Sequence, residues 1–260
     1  MKMIDLNCDC GESWGSYVIG NDAAMLDIVT SANIACGFHG GDPLVLHRTL
    51  RLAKERGVNA GAHPSFLDPW GFGRRRIEVD SLADLEKIIM YQLAAFCGMA
   101  ATLGVKVSHV KAHGALSNMA ATDFDLSLAL CRGVKAIDRD LVFFTSPGDE
   151  TEKAIDELGL AKAIEIFADR AYDESGGLMA RKRPGAVIHD ADTAAKRIIG
   201  FLEDQAITTV DGRRIPTLID TICVHGDNPH GVEIASKLRS ALEQAGWTVA
   251  PLAAPARSGD

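Results

Sequence analysis

Ionisable and amide side chains stand at even spacing in the first apolar segment of the sequence. Asp5, Asn7 and Asp9 alternate there with Leu6 and Cys8. Because residues two apart in an extended strand share a face, these three polar groups are predicted to point the same way. Carboxylates gathered on one face can act as a base toward water or bind a metal ion.

The same spacing recurs later in the chain with histidine and lysine. Lys111 and His113 are two residues apart, as are His225 and Asp227, and His39 ends another apolar segment. Histidine moves protons near neutral pH, and a lysine among carboxylates stays cationic and can stabilise an oxyanion. Carboxylates, imidazoles and one lysine therefore suit hydrolysis or phosphoryl activation.

Strands that alternate with helices must position these groups. The strand-like segments are Met3–Asn7, Ser31–Phe38, Val58–Ala62, Val107–Ala112, Leu141–Thr145, Ala163–Ala168, Ile219–Val224 and a short one near Thr248–Leu252. Helical patterns lie between them, among them Pro43–Arg56, Ser81–Leu103, Ala191–Gln205 and Gly231–Ala245. This alternation is typical of βα units around a parallel sheet. With 260 residues, we predict one α/β barrel domain over residues 1–260.

A functional site is predicted where the strands end. Six strands end in ionisable or amide residues, all at the carboxyl end, which is where barrel enzymes place their chemistry. Burying so many polar groups at one end without a purpose would be costly. Single residues have structural alternatives: a lone histidine can fill the core, Asp42 can cap a helix, and Asp9 with Lys111 can form a buried ion pair that orders the mouth.

Bulk composition argues against several classes of protein. The net charge of −8 disfavours nucleic acid as a partner, since phosphate binding needs a basic surface. No run of about 18 apolar residues predicts a membrane span, and no apolar signal core follows Met1, so we expect a cytoplasmic protein. The six cysteines form no CxxC pair and are interpreted as buried thiols, with Cys8 or Cys10 as an alternative catalytic thiol.

Common nucleotide-binding motifs are missing from the sequence. It contains no GxxxxGK[ST] and no GxGxxG that opens a helix after a strand. The GxSxG nucleophile elbow of hydrolases is also missing. Two glycine- and arginine-rich segments, Gly71–Arg76 and Gly176–Gly185, are candidates for anion binding. Glycine lets backbone N–H groups approach phosphate oxygens, and arginine adds a bidentate donor. For the second segment a solvated loop is an equal alternative.

Several segments resemble motifs of the LamB/YcsF family, in that family's order. They are Ile4–Glu12, Thr30–Pro43, Gly61–Pro64, Gly71–Arg75, Val110–Asn118, Glu165–Tyr172 and Cys223–Asp227. The resemblance runs from residue 2 to about residue 250. Departures include Cys10 in place of the family's leucine, altered residues within His63–Asp68, and the loss of a proline and a tyrosine within Lys111–Asn118.

The resemblance implies a seven-stranded, TIM-like (β/α) barrel of the glycoside hydrolase/deacetylase type. It also implies the A component of a three-part 5-oxoprolinase, which converts 5-oxo-L-proline, ATP and water to L-glutamate, ADP and phosphate. The expected partners are the lactam substrate, ATP as co-substrate and two further subunits, B and C. A homo-oligomer is left open, as is a divalent metal, bound as the magnesium complex of ATP or as an ion in the site.

Within this site, catalytic roles are assigned to Asp9, Lys111 and His113. Substrate binding is assigned to Asp5, Asn7, Glu12, Asn33, His39, His63, Arg74, Asp169, Arg170, His225 and Asp227. Two alternative functions remain. One is a metal-dependent deacetylase or amidohydrolase that needs no ATP and holds its metal with an aspartate and two histidines. The other is a non-catalytic subunit that binds substrate and presents it to a partner.

Overall fold

Seven parallel strands close into a barrel in the computed structural model, which describes residues 2–252. Ten strands occur in chain order: β1 (Lys2–Cys10), β2 (Ser31–Ala35), β3 (Asn59–His63), β4 (Val107–Val110), β5 (Val142–Thr145), β6 (Lys162–Phe167), β7 (Ala206–Thr208), β8 (Arg214–Pro216), β9 (Thr221–His225) and β10 (Trp247–Val249). Strands β1 to β6 pair in sequence, and β9 pairs with both β6 and β1, which closes the sheet. The predicted seven-stranded barrel is confirmed.

Helices cover the outside of this barrel. They are α1 (Asp22–Leu26), α2 (Pro43–Arg56), α3 (Leu82–Thr102), α4 (Gly114–Ala120), α5 (Phe124–Ile137), α6 (Glu150–Leu158), α7 (Ala191–Asp204) and α8 (Gly231–Gln244). Asp42 caps α2 as predicted, because its carboxylate accepts from the backbone N–H groups of Leu44 and Val45. Over residues 2–252, none of the helices combines the length and the apolar character that crossing a bilayer requires.

Strand β1 is apolar toward the helices and polar toward the barrel axis. In β1, Ile4, Leu6 and Cys8 belong to the hydrophobic core that the helices share. Asp5 and Asn7, between them, instead accept and donate hydrogen bonds with side chains of neighbouring strands. A polar interior must be satisfied in this way, because a buried polar group without a partner costs about 1–3 kcal/mol. The interior next to β1 is therefore a hydrogen-bonded network, whereas Val142, Phe144 and Ala163 of β5 and β6 form a small apolar cluster of their own.

Three of the strands, β7, β8 and β10, are not part of the barrel wall. β10 pairs with the first residues of β1, which leaves Asp5–Asp9 of the same strand to pair with β9. β7 and β8 form an antiparallel hairpin whose turn contains Gly212, at a φ of 85° that favours glycine. β2 ends at Ala35 and not at Phe38 as predicted, since the chain turns into a loop through Gly37 and Gly41, both with positive φ. Of the predicted domain over residues 1–260, residue 1 and residues 253–260 lie outside the described part of the chain.

Candidate active site

Most of the predicted site residues meet at the carboxyl end of the barrel. The buried members of this mouth are Asp9, Glu12, His39, His63, Lys111, His113 and His225. They come from β1, β3 and β9 or from the segments that directly follow β1, β2 and β4. Because parallel strands all end at one rim, residues far apart in sequence come together there.

An ion-pair network centred on Lys111 forms the floor of the mouth. The Lys111 Nζ lies 2.9 Å from Asp9 Oδ1, 2.9 Å from Glu165 Oε1 and 3.1 Å from Cys223 Sγ. Burial disfavours the ammonium, but the charge of Asp9 outweighs it and raises the pKa of Lys111 well above its usual value. For Asp9, burial alone would raise the pKa, but the Lys111 charge holds it well below its usual range. Asp9 and Lys111 therefore form a charged pair.

The two oxygens of Asp9 have different surroundings. Oδ1 accepts from Lys111 Nζ and, at 2.9 Å, from Asn33 Nδ2. Oδ2 faces His63 Nε2 at 3.5 Å and His225 Nε2 at 4.0 Å. One oxygen thus anchors the carboxylate, while the other is directed toward the imidazoles and is free to accept a proton or bind a cation.

Fixed acceptors orient the histidines of the mouth. His63 Nδ1 lies 2.7 Å from the carbonyl oxygen of Lys111, and His113 Nε2 lies 2.9 Å from that of Phe72. His225 Nδ1 lies 2.8 Å from Asp169 Oδ1. His113 stands at the cap position of α4 without capping it, since its ring is engaged in the site. These contacts turn the second nitrogen of each ring toward the centre of the mouth.

Glu12 and His39 complete the cluster above this floor. Glu12 Oε1 lies 3.1 Å from His39 Nε2, and the His39 ring stacks on His113 with centroids 3.6 Å apart. Burial, together with the negative charge of Asp9, raises the pKa of Glu12 well above its usual value. Burial lowers the pKa values of His39 and His113 well below theirs.

Two groups of side chains in the mouth could hold a metal ion. Glu12, His39, His63 and His113 each offer a ligand atom, and these atoms lie within 4.8 Å of one another. Asp9, Cys223 and His225 form a second group of the same kind. Imidazole and carboxylate ligands suit transition metals such as zinc, manganese or iron.

Amide side chains beneath the mouth are engaged with one another. The Asn33 amide donates to Asn7 Oδ1 at 2.7 Å, and its own oxygen lies 2.9 Å from His109 Nε2. Asn7 also donates to Thr221 Oγ1 at 2.7 Å. The His109 ring fits because Gly61 has no side chain, since a Cβ there would overlap the ring. Asn7 and Asn33, predicted to bind substrate, support the floor in this structure.

Three further predicted binding residues have structural contacts instead. Asp5 lies deeper in the barrel, where the hydroxyls of Thr30, Ser31 and Thr221 surround its carboxylate. Asp169 orients His225. The Arg170 guanidinium donates to the carbonyl oxygens of Met179 and Ala186 and so fastens the loop after β6. Asp5 thus lies below the mouth and not at it, whereas Asp169 contacts the mouth residue His225. Alternation gives the face of a strand but not the depth or the partner, and the substrate-binding roles of all three residues stay predictions.

Arg74 and Asp227 lie at the rim as predicted. The guanidinium of Arg74 donates to Asp227 Oδ2 at 2.7 Å across the mouth, from the loop after β3 to the loop after β9. Its side chain is 33% exposed, so an anionic substrate group could exchange places with Asp227. The rim therefore offers a cation where the interior offers acids and imidazoles.

Sequence reasoning missed two polar groups and one apolar residue of the site. Glu165 and Cys223 contact the Lys111 ammonium, and Phe72 packs edge-on against His39 and His113. Alternation could have identified Glu165, because it shares a strand face with Asp169. No comparable signal marks Phe72, which stands in a loop with a φ of 54°.

A separate cavity opens at the amino-terminal end of the barrel. It has a volume of about 310 Å³ and is lined by residues at or before strand starts, among them Ser31, Asn59 and Val142, together with His109 and Leu252. The charged groups of the floor and the imidazoles described above converge at the opposite end. We therefore take the mouth, and not this cavity, as the candidate active site.

Comparisons with known proteins agree with this architecture. The sequence profile of the LamB/YcsF family matches residues 4–257. The chain is 48% identical over 250 residues to the 5-oxoprolinase A subunit of Rhodopseudomonas palustris (strain BisB5), covering 96% of this chain and 98% of the relative. It is 50% identical over 251 residues to the protein of the same name from Gluconobacter oxydans (strain 621H), with the same coverage.

Solved structures share the fold. The crystal structure of the lactam utilization protein from Thermus thermophilus superposes with a TM-score of 0.90 at 39% identity, covering 95% of this chain and 99% of that one. The catalytic domain of a peptidoglycan N-acetylglucosamine deacetylase from Eubacterium rectale ATCC 33656 gives a TM-score of 0.52 at 11% identity, covering 97% of this chain and 89% of that one. At that identity the second likeness concerns the barrel alone.

Proposed function

This chain belongs to the LamB/YcsF family, and we propose that it is the A component of an ATP-dependent 5-oxoprolinase and opens the lactam ring of 5-oxo-L-proline. The observation that carries the proposal is the buried Asp9–Lys111 pair directly beside the imidazoles of the barrel mouth. The names of relatives about 48% identical over nearly the whole chain support the substrate class.

The geometry supports attack of water on an activated lactam carbonyl. A five-membered lactam is a stable amide, and transfer of a phosphoryl group from ATP to its oxygen makes the carbonyl carbon more electrophilic. Asp9 Oδ2 takes a proton from water as the water oxygen bonds to that carbon. The ring C–N bond then breaks and its nitrogen takes a proton, which leaves glutamyl phosphate. A second water molecule converts this acyl phosphate to glutamate and phosphate.

Charged groups in the mouth have matching roles in this scheme. The Lys111 ammonium, 2.9 Å from Asp9, stabilises the negative charge that develops on the attacked carbon's oxygens. Arg74, at the rim, provides a guanidinium for the substrate carboxylate or for the phosphoryl group. The sequence lacks the common nucleotide-binding motifs, so we propose that turnover needs ATP together with two other subunits, B and C.

Reconstitution tests this proposal. The purified chain is incubated with 5-oxo-L-proline, with and without ATP and with and without the two partner subunits, and glutamate and phosphate are measured. We expect glutamate only in the complete mixture, with one phosphate released per glutamate. Rapid ring opening by the chain alone without ATP would instead identify an ATP-independent amidohydrolase. Equal turnover by the partners without this chain would reduce it to an accessory component.

A further inference from the structure

Two imidazole nitrogens of the mouth face each other, and in neutral rings neither of them carries a proton. His63 Nε2 lies 2.9 Å from His113 Nδ1. The other nitrogen of each ring contacts a backbone carbonyl oxygen, that of Lys111 for His63 and that of Phe72 for His113. A carbonyl oxygen only accepts hydrogen bonds, so the contacting nitrogens carry the ring protons. In neutral rings, each of the two facing nitrogens therefore carries a lone pair and no proton.

Facing lone pairs at this distance need a positive charge between them. A shared proton would supply it by making one ring an imidazolium, and a metal ion would supply it without changing either ring. Metal ions bind imidazole nitrogen at about 2.0–2.1 Å, so two such ligands at a right angle stand about 3.0 Å apart. The observed 2.9 Å matches this spacing. The rings are thus already arranged as adjacent ligands of one ion.

Each of these nitrogens also has a carboxylate oxygen near it. Glu12 Oε1 lies 3.7 Å from His113 Nδ1, and Asp9 Oδ2 lies 3.5 Å from His63 Nε2. Both separations fall in the range expected between ligands of a single ion with bonds of about 2 Å. The charge of a divalent cation would offset two carboxylates that are buried side by side.

His39 is better placed to orient Glu12 than to bind the ion. Its Nε2 lies 3.1 Å from Glu12 Oε1, and over residues 2–252 its Nδ1 has no hydrogen-bond partner. If Nε2 bound a metal, Nδ1 would carry a buried proton without an acceptor, which is rarer in proteins than an unused acceptor. His39 therefore donates from Nε2 to Glu12 and leaves Nδ1 as the unused acceptor.

We infer that the mouth binds one divalent transition-metal cation through His63 Nε2, His113 Nδ1 and a Glu12 carboxylate oxygen, with Asp9 Oδ2 as the nearest further oxygen. Two imidazoles with carboxylates favour ions such as zinc, cobalt or manganese over magnesium or calcium. Such an ion would polarise a carbonyl oxygen or lower the pKa of a bound water molecule. Its part in lactam opening rests on the function proposed above, whereas its binding does not.

Cation binding can be measured without substrate, ATP or partner subunits. Chelator-treated full-length protein is titrated with Co²⁺, followed by visible absorption, and with Zn²⁺, followed by calorimetry. We expect one ion per chain and a cobalt spectrum typical of nitrogen ligands. His113→Ala should weaken binding on the order of 100-fold or more, because even changes outside the ligand set cost 10–100-fold. Glu12→Gln, which preserves shape, should weaken it in the same direction.

His109→Gln is the matched control. His109 is buried in the same barrel, but its ring nitrogens are engaged by Ser108 and Asn33 beneath the floor. This variant should keep the wild-type stoichiometry and affinity. Circular dichroism identifies any variant that fails to fold, and if His113→Ala fails, Glu12→Gln decides.

Three results would overturn the inference: wild-type protein that binds neither ion, equal loss in the His109 and His113 variants, or unchanged affinity in Glu12→Gln. The first would mean that the facing nitrogens share a proton. Absent cation binding with intact lactam turnover would sink only this inference. Cation binding without lactam turnover would sink only the proposed function.

Discussion

The floor of the mouth holds charged side chains that are buried and paired with one another. Lys111 is placed between two buried carboxylates, those of Asp9 and Glu165, each 2.9 Å from its Nζ. A buried pair of this kind can serve chemistry, or it can only order the mouth, which is the alternative that the sequence left open. The two roles differ in what happens when both partners are removed together.

Substitution at Asp9 and Lys111 separates these roles. Lys111→Met leaves two buried carboxylates without a cation, so we expect a loss of about 3–5 kcal/mol in the free energy of unfolding. Asp9→Asn should cost less, because Lys111 keeps Glu165 as a partner. The double variant should be more stable than Lys111→Met alone. Glutamate formation by the reconstituted enzyme should fall by about a hundredfold or more in all three variants.

Stability from denaturant unfolding and activity are compared for each of these proteins. The catalytic assignment requires that the double variant recovers stability but not activity. If activity returns together with stability, the pair is structural and the chemistry lies elsewhere in the mouth.

Glycine occurs in this barrel both where a neighbouring side chain leaves no room for a Cβ and where there is open space. Gly61 of β3 faces the ring of His109 on β4 inside the barrel, and a Cβ at this position would overlap the ring. A Cβ added at Gly98, on the exposed side of α3, would have nothing within 4 Å. The same substitution should therefore have opposite effects at the two glycines.

Gly61→Ala is expected to lower the free energy of unfolding by about 1–3 kcal/mol, because the added methyl group overpacks the barrel axis. Gly98→Ala should raise it by about 0.5–1 kcal/mol, because alanine lowers the entropy cost of forming a helix. Chemical denaturation of both variants measures the two effects. A stable Gly61→Ala protein would show that the His109 ring can move aside, which contradicts the tight packing described.

The start of α6 carries a half-buried acid that links stability to pH. Asp149 caps the helix by accepting from the Glu152 N–H at 2.7 Å, and burial raises its pKa to about 6. The folded protein therefore holds this proton more tightly than the unfolded chain, whose ordinary value is 3.8. Its contribution to stability is present below pH 4 and is lost as pH rises toward and through 6.

Asp149→Asn keeps a good capping side chain but removes the titration. Relative to wild type, we expect little change in the free energy of unfolding near pH 4 and a gain of about 1–2 kcal/mol at pH 8. The full pKa shift corresponds to about 3 kcal/mol, and the lower figure allows for solvent screening of a half-buried side chain. Thermal unfolding of both proteins at several pH values provides the difference. A gain that does not vary with pH would refute the assignment.

At the scale of the whole molecule, the loops that follow β1 and β3 at the mouth carry exposed apolar side chains. Trp70 is 95% exposed and Leu67 is 65% exposed in the loop after β3. Tyr17 and Val18, after β1, are also exposed. Hydrogen bonds tie this part of the molecule together, for example from the Gly15 N–H to Asp42 Oδ2 at 2.8 Å. Large apolar side chains exposed at a rim of this kind favour protein contacts.

Replacing Leu67 and Trp70 by serine together should weaken association with the two proposed partner subunits by about tenfold or more, because large exposed aromatic residues dominate interfaces. The melting temperature of the isolated chain should not fall. Leu218→Ser is the control, since Leu218 is 71% exposed but lies before β9 at the other end of the barrel. Equal weakening by the control would exclude the mouth rim as the interface.

Local features of the sequence determined the elements and their faces. Asp42 and Pro43 set the start of α2, and Gly57, with a φ of 67°, ends it, so its boundaries were predicted correctly. The alternation of Asp5, Asn7 and Asp9 with apolar residues correctly predicted the polar face of β1. These signals depend on neighbouring residues alone, which is why one chain suffices to detect them.

Only the tertiary structure determines how deep each polar side chain lies in the barrel and which side chains it contacts. Asp5 and Asp9 share a face, yet the register of β1 on β9 sets Asp5 beside Thr221 and Asp9 beside His225, about 13 Å further along the strand. The contact of Glu165 with Lys111 likewise depends on how the strands close into a barrel. Periodicity specifies which way a side chain points. The closure and register of the sheet specify what it meets, because those contacts join residues that are distant in the chain.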